Sequence, residues 1–385
     1  MKWFGRKAAA DASRPALSRA WMNAIAAPLG DWPSSYDAQL RAAVLINPVA
    51  QRAMRLVAEA VGGVALSATA ATPGDALLAT RLVTERSGGQ VLMETLAANI
   101  LLHGNGYAQI AGDAAGVPIR LFALRPERVS VEPDAAGWPV AYSYRVGERL
   151  ARYPAEDGAG RTAIVHLRAF HPLDDHYGLG CLGAAAGAVA IHNAATRWNK
   201  ALLDNAARPS GALVYETTDG AGLSGEQFDR LREELRDAFQ GAENAGRPML
   251  LEGGLRWQAL SLSPADMDFV GLKAAAARDI ALAFGVPPML LGLPGDNSYA
   301  NYREANKALW RQTILPLATM ILSGLAQGLR NHLPGLELSV DLDRVAALSE
   351  DRTALWDRVA AADFLSDEEK RAMLGIDAAG QAREG

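Results

Sequence analysis

The sequence predicts an α+β fold in which a sheet-rich stretch interrupts a largely helical chain. Three observations carry this. Apolar residues recur at helical spacing before Gly106 and after Gly183. Between them, residues 106–170 alternate or run β-branched, with turn residues separating the runs. A compact strand–helix–strand unit then lies between two further helix-forming stretches. At 385 residues, half of them apolar and 21% charged, the chain is long enough for two to three soluble domains with a sizeable core.

Residues 1–36 lack periodicity, contain Pro15, Pro28 and Pro33, and read as a flexible arm. Asn47-Pro48 places an N-cap ahead of a proline at the first helical position, where the missing N–H would be unpaired anyway. Met54, Val57 and Val61 give that helix its stripe, and Gly62-Gly63 stops it. Two more helices are expected at Asp75–Arg86 and Gln90–His103, parted by Ser87-Gly88-Gly89. Strands are expected at Tyr107–Ile110, Val129–Val131, Ala141–Val146 and Ile164–Leu167. From Gly183 to about Ala206 the pattern is helical again, ending before Arg208-Pro209.

The compact unit opens with a strand at Gly211–Glu216. Ser224-Gly225-Glu226-Gln227 is a capping box for a helix with Phe228, Leu231, Leu235 and Phe239 on one side. Met249–Leu251 and Arg256–Leu260 return as strands. The next helix starts at Ser263-Pro264, with Asp266 at its third position, and turns Met267, Val270, Ala274, Ala277, Ala281 and Phe284 to one side. Gly285-Val286-Pro287-Pro288 ends it. The glycine-rich loop Leu291–Asn297 leads into the longest helical segment, Tyr299–His332. That span is about 50 Å long and is expected to bend at Pro316, which removes a backbone donor. Leu336–Leu342 alternates as a strand, and helices at Ala346–Ala361 and Asp367–Leu374 finish the chain.

Composition excludes several function classes. The net charge of −5 argues against a strong nucleic-acid clamp. The acidity sits at the end: residues 337–385 hold 12 acidic and 6 basic side chains, whereas Lys2, Arg6, Lys7, Arg14 and Arg19 face only Asp11 near the start. A lone Cys181 rules out an internal disulfide or a Cys-rich metal site and suggests synthesis in a reducing compartment. The first residues lack the apolar region of a secretory signal, and polar residues and Pro316 interrupt the apolar run Ile314–Leu329, so no membrane association is expected.

Catalytic patterns are sparse. Gly178-Leu179-Gly180-Cys181-Leu182-Gly183 fits G-x-G-x-x-G, with Asp204 further on. A dinucleotide site needs a strand directly before the first glycine, yet the preceding strand ends near Phe170 and Pro172 intervenes. Tight entry into a small-residue helix is the simpler use of those glycines. An NAD-type nucleotide-dependent oxidoreductase built on Gly178, Gly180 and Gly183 stands as the alternative function. His171, Asp174, Asp175 and His176 fall in one loop, where turn-making is the commoner role than metal binding. Asp157–Thr162 lacks the lysine of a phosphate loop, and Cys181 sits among small apolar residues as an inert thiol. No catalytic residues, metal or cofactor are expected.

The order of segments resembles the portal, or head–tail connector, proteins of long-tailed double-stranded DNA phages. The carrying residues are Asn47-Pro48-Val49 with Leu56–Val61, Leu102-His103-Gly104-Asn105-Gly106-Tyr107, Leu124–Val129, and Tyr177-Gly178-Leu179-Gly180 leading to Asn205 and Pro209. They continue with Leu251-Glu252-Gly253-Gly254, Ile280–Pro288, Asn297–Asn301, Leu315-Pro316, and Leu365–Arg371 with Leu374-Gly375. The compact, alanine- and arginine-rich chain is also similar to the portals of bacterial gene transfer agents.

The resemblance implies a dodecameric ring at a capsid vertex of a virion or phage-like particle, made in the bacterial cytoplasm. Double-stranded DNA would be packaged and ejected through it. In this numbering it implies a first wing part at 37–182, stem helices at 183–207 and 263–288, and a clip at 208–262. It further implies a tunnel loop at 289–300, the remaining wing at 301–345, and a short crown at 346–385. Gly295, Asp296, Asn297, Ser298, Tyr299 and Asn301 would line the DNA channel. Phe228, Leu231, Leu235 and Phe239 would meet partners at the clip. The partners implied are further copies of the chain, the major capsid protein, the head–tail adaptor and the large terminase. A ring of heterologous contacts needs two different surfaces per subunit, which long alanine- and glycine-rich helices can supply. A conduit for moving DNA is best without tight phosphate contacts, since each adds affinity by counterion release.

Overall fold

The computed structural model describes residues 33, 35–113, 116–204, 211–215, 226–227, 229–230, 233, 255–259, 268–293 and 298–375. Helix α1 (Tyr36–Leu40) continues through a π-helical turn at Arg41–Ile46 to Asn47 and α2 (Pro48–Gly62). The Asn47 side-chain oxygen accepts from the Val49 and Ala50 N–H groups, both at 3.0 Å, as its place before Pro48 predicts. Then come β1 (Leu66–Thr69), α3 (Pro73–Thr84), the two-residue strands β2 (Arg86–Ser87) and β3 (Gln90–Val91), and α4 (Leu92–His103). Six strands follow: β4 (Asn105–Gly112), β5 (Pro118–Leu124), β6 (Val129–Pro133), β7 (Pro139–Val146), β8 (Arg149–Pro154) and β9 (Ile164–Arg168).

The second half begins with α5 (Cys181–Asp204), β10 (Gly211–Tyr215), β11 (Leu255–Ala259) and α6 (Phe269–Ala283). Helices α7 (Tyr299–Leu309) and α8 (Leu315–Leu329) are joined by a π-helical turn at Trp310–Ile314. Strand β12 (Glu337–Val340), α9 (Ser349–Ala360) and α10 (Asp367–Leu374) complete the described chain.

All the strand pairs are antiparallel. Strand β4 is the centre of a three-stranded sheet, order β5-β4-β9, and a second sheet runs β6-β7-β8. An early and a late segment of the chain meet where β1 pairs with β12, Leu66 opposite Val340. Helix α4 lies on α2 and β4, while α8 lies on β9. That last contact depends on small residues: a Cβ on Gly324 or Gly328 would run into Leu167 or Val165 of β9. The main core joins Val57, Val61, Leu96, Ile100, Leu121, Leu167, Ile321, Leu322 and Leu325. A smaller cluster of Tyr107, Leu124, Val129, Tyr142 and Ile164 ties the two sheets together.

The structure corrects several expectations. Strands β5 and β8 were not expected: β5 does not alternate in burial, and β8 is almost wholly exposed, so neither carries a period-two signal. Ser87-Gly88-Gly89 is the tip of the β2–β3 hairpin, with both glycines at positive φ, rather than a plain break between helices. The described part of helix α6 begins at Phe269, where the Asp268 carboxylate caps it by accepting from the Gly271 N–H at 3.1 Å; the expected start at Ser263-Pro264 lies outside the described residues. Val270 is exposed instead of facing inward. The long helix accommodates Pro316 by the π-helical turn just before it, which opens the ladder where the ring would crowd a carbonyl.

The run from Tyr299 to Leu329 is the one helix among the described residues long and apolar enough to cross a membrane by length and composition. Its apolar residues Ile314, Leu317, Ile321, Leu322 and Leu325 are instead buried in the core. Ser224, Phe228, Leu231, Leu235, Phe239, Met249–Leu251, Ser263, Pro264, Met267, Gly295, Asp296 and Asn297 lie outside the described residues.

Candidate functional site

Three groups of residues are positioned by this architecture. The first flanks the glycine-rich loop. Ser298 caps α7, its hydroxyl accepting from the Asn301 N–H at 3.2 Å. Tyr299 and Tyr302, three apart and therefore on neighbouring parts of one helix face, are both exposed, as is Asn301. The cations behind them are held by α9. Lys307 Nζ lies 3.2 Å from Glu350 and 3.5 Å from Asp351, Arg303 lies 3.1 Å from Glu350, and Arg311 lies 2.5 Å from Asp351. The Glu350 hydrogen bond, with the neighbouring carboxylates, raises the Lys307 ammonium above its ordinary range. This face of α7 therefore presents neutral hydroxyls and amides rather than free positive charge.

The second group is the antiparallel pair α5–α6, with the β10–β11 ladder between its helices in sequence. Trp198 stacks on Phe269, centroids 4.2 Å apart and 16° from parallel. The middle of α5 is pinned to the first helices by polar groups. The Asn47 amide donates to His192 Nδ1 at 3.1 Å and to the Asn193 side-chain oxygen at 3.0 Å. Asn193 in turn donates to the Ala42 carbonyl at 2.9 Å. Burial, and then the charge of Lys273, lowers the His192 pKa, so the ring stays neutral and can accept.

The third group explains the segment Leu102–Tyr107. Asn105 is completely buried at the junction of α4, β4, β9 and the loop before α5. Its oxygen accepts from the Gly178 N–H at 2.8 Å and from His166 Nε2 at 3.0 Å. Its amide donates to His103 Nδ1 at 3.0 Å and to the Gly178 carbonyl at 3.3 Å. His166 stacks on Tyr107 at 4.2 Å. Desolvation, aided by Arg168 and two other histidines, pushes the His166 pKa down to about 3.

Gly104 caps α4 at φ +84°, and any Cβ there would collide with the Gly178–Leu179 backbone. Likewise a Cβ on Gly178 would meet the Gly104 carbonyl, and one on Gly180 the Leu102 carbonyl. Two glycines of the G-x-G-x-x-G stretch are thus occupied by the chain's own backbone and leave no room there for a pyrophosphate. Only Gly183 is open.

The His171–His176 loop is a turn: the Asp174 carboxylate accepts from the His176 and Tyr177 N–H groups at 2.7 and 2.9 Å. Cys181 is half-buried, and desolvation raises its thiol pKa, which disfavours the nucleophilic thiolate. Sequence reasoning missed the two Asn–His hubs. Their one advance signal was polar side chains inside otherwise apolar helical or strand patterns.

A layered α+β body, a helix pair bracketing a short strand ladder, and glycines spent on internal packing define a structural subunit, one whose business is assembly. The chain belongs to the phage portal protein family, the head–tail connectors: residues 48–375 match the family described as phage portal protein. It is 48% identical to a chain in the neck of a native gene transfer agent particle computed with C12 symmetry, with a TM-score of 0.67 over 90% of this chain and 94% of that one. A chain from the virion of a native gene transfer agent particle is 47% identical, with a TM-score of 0.68 over 92% and 98%. An uncharacterized protein of Rickettsia felis is 39% identical over 339 residues, 86% of each chain.

Proposed function

We propose that this chain is the subunit of a twelve-membered portal ring in the neck of a phage-like gene transfer agent particle, and that it conducts DNA in and out without doing chemistry itself. The observation that carries this reading is the 48% identity, over nine-tenths of both chains, with a subunit of a neck computed with C12 symmetry. In this reading α5 and α6 are the stem, residues 208–262 the clip, the body around β4 and α8 the wing, and 346–385 a short crown. The loop 289–300 reaches toward DNA, with Ser298, Tyr299 and Asn301 offering uncharged contacts. Such contacts suit a sliding duplex, because each lysine or arginine on phosphate would add a counterion-release term to its grip. The clip seats the large terminase and later the head–tail adaptor, and the wing meets the major capsid protein.

The test is electron microscopy of the purified full chain together with mass by light scattering. Rings with a central hole, at about twelve times 40.8 kDa, are expected. A closed dimer carrying bound nucleotide would overturn the reading.

A further inference from the structure

The α5–α6 pair leaves apolar surface in water when one copy of the chain stands alone. On α6, Leu272 and Leu282 are 44% and 78% exposed. With the exposed Ala275, Arg278 and Asp279 they occupy roughly one third of the helix circumference at about 100° per residue. That side is turned away from Ala276, Ala277, Ile280 and Ala281, which are buried.

On α5 the free side has the opposite relief. Gly183, Ala194 and Ala201 are exposed and, with Gly187 and Ala190, fall within an arc of roughly 60°. The buried side of the same helix is Leu182, Ala185, Val189, His192 and Ala195. A Cβ at Gly183 would meet nothing within 4 Å, so no contact inside the subunit accounts for glycine there.

Large knobs on one helix and a shallow groove on its companion are complementary, whereas knob on knob or groove on groove leaves voids. Pairing unlike faces is a heterologous contact, which repeats around an axis and closes a ring. A chain 48% identical sits in a neck computed with C12 symmetry, and this supplies the occupant: another copy. Resting on the portal reading above, we infer that Leu272 and Leu282 of one subunit seat on the Gly183–Ala201 groove of the next copy of this chain. Asp279 lies between the two leucines on that arc and Arg278 at its edge.

The test uses the full chain and two variants, Leu272→Arg/Leu282→Arg and Gly183→Arg/Ala194→Arg, read by light scattering and electron microscopy. Each variant alone should be monomeric, and the two midpoints should lie within about 2 °C of each other because the altered positions are exposed, both below that of the assembled wild type, which association stabilises. A 1:1 mixture should give dimers and nothing larger, since only one competent knob face and one competent groove remain. Rings formed by either variant, or dimers formed by either alone, overturn the proposal. Wild-type chain that forms no rings overturns the portal reading itself. Should the arginine variants unfold, Leu272→Gln/Leu282→Gln is read in the same way.

Discussion

The body around β4 and the helix pair α5–α6 bury their apolar surface in different ways. In the body both faces of the structure are covered: Leu96, Leu121, Ile321, Leu322 and Leu325 are enclosed, and Asn105, buried at the junction of its elements, has both its oxygen and its amide bonded. In the pair, each helix is enclosed on one side only; the other side of α6 turns leucines to water, and that of α5 glycine and alanine. A region closed on itself draws its stability from within the chain. A region half closed is finished by a neighbour. Stability and assembly are therefore assigned to separate residues.

The largest effect that tests this division is Asn105→Leu. It leaves the Gly178 N–H and His166 Nε2 buried without an acceptor, and each such loss costs about 1–3 kcal/mol. A drop of about 3–5 kcal/mol in unfolding free energy by denaturant titration is expected. Leu282→Arg in the same assay should stay within about 0.5 kcal/mol of wild type. Equal losses from the two substitutions would erase the distinction between body and helix pair. Gly180→Ala belongs with Asn105→Leu: it should destabilise by collision with the Leu102 carbonyl, and a normal melting curve would contradict the packing described.

Acid should act on the same hub. The folded-state pKa of His166 is pushed down to about 3, from an ordinary value of 6.5. The unfolded chain therefore binds a proton below about pH 6.5 that the folded chain refuses, and stability falls as pH falls through that window. Between pH 6.5 and 4.5 this one group accounts for about 2–3 kcal/mol at about 1.4 kcal/mol per unit. His166→Gln, which cannot take up that proton, should lose correspondingly less over the same range. Parallel pH profiles for the two proteins would remove His166 as the cause.

Much of this division was legible in the sequence, and the exceptions have physical reasons. Asn47-Pro48, Gly62-Gly63, Gly285 and the central strands were readable because caps, turns and short apolar or β-branched runs are local signals. Strand β8 was not, because an exposed strand held by β7 needs no apolar pattern of its own. The Asp268 cap of α6 went unread because Ser263-Pro264, which lies outside the described residues, offers the stronger local cap signal. The glycines at Gly178 and Gly180 were rightly kept from a cofactor, but their partners, Gly104 and Leu102, lie far back in the sequence and only the fold unites them. Of the residues proposed for the channel, Ser298 was not read as the cap it forms on α7, and nothing in sequence foretold that the cations after Tyr302 would be matched by Glu350 and Asp351.

That pairing yields the smallest expected effect, in a third region, the two helices that follow β12. Helices α9 and α10 are bound to each other by Arg352, which donates to Asp343 at 2.6 Å and to the Leu374 carbonyl at 3.0 Å. Their hold on α7 rests largely on charge, through Arg303, Lys307 and Arg311 against Glu350 and Asp351. Exposed ion pairs contribute little to global stability and weaken with salt. Replacing the two exposed cations together, Arg303→Met with Arg311→Met, should therefore leave the thermal midpoint unchanged yet speed amide hydrogen exchange throughout α9 and α10, with β4, β9 and α8 unaffected. Added salt should move wild-type exchange in the same direction. If α9 exchanges equally slowly in both proteins, then Leu348 and Val359, the buried residues at either end of that helix, hold it and the charges do not.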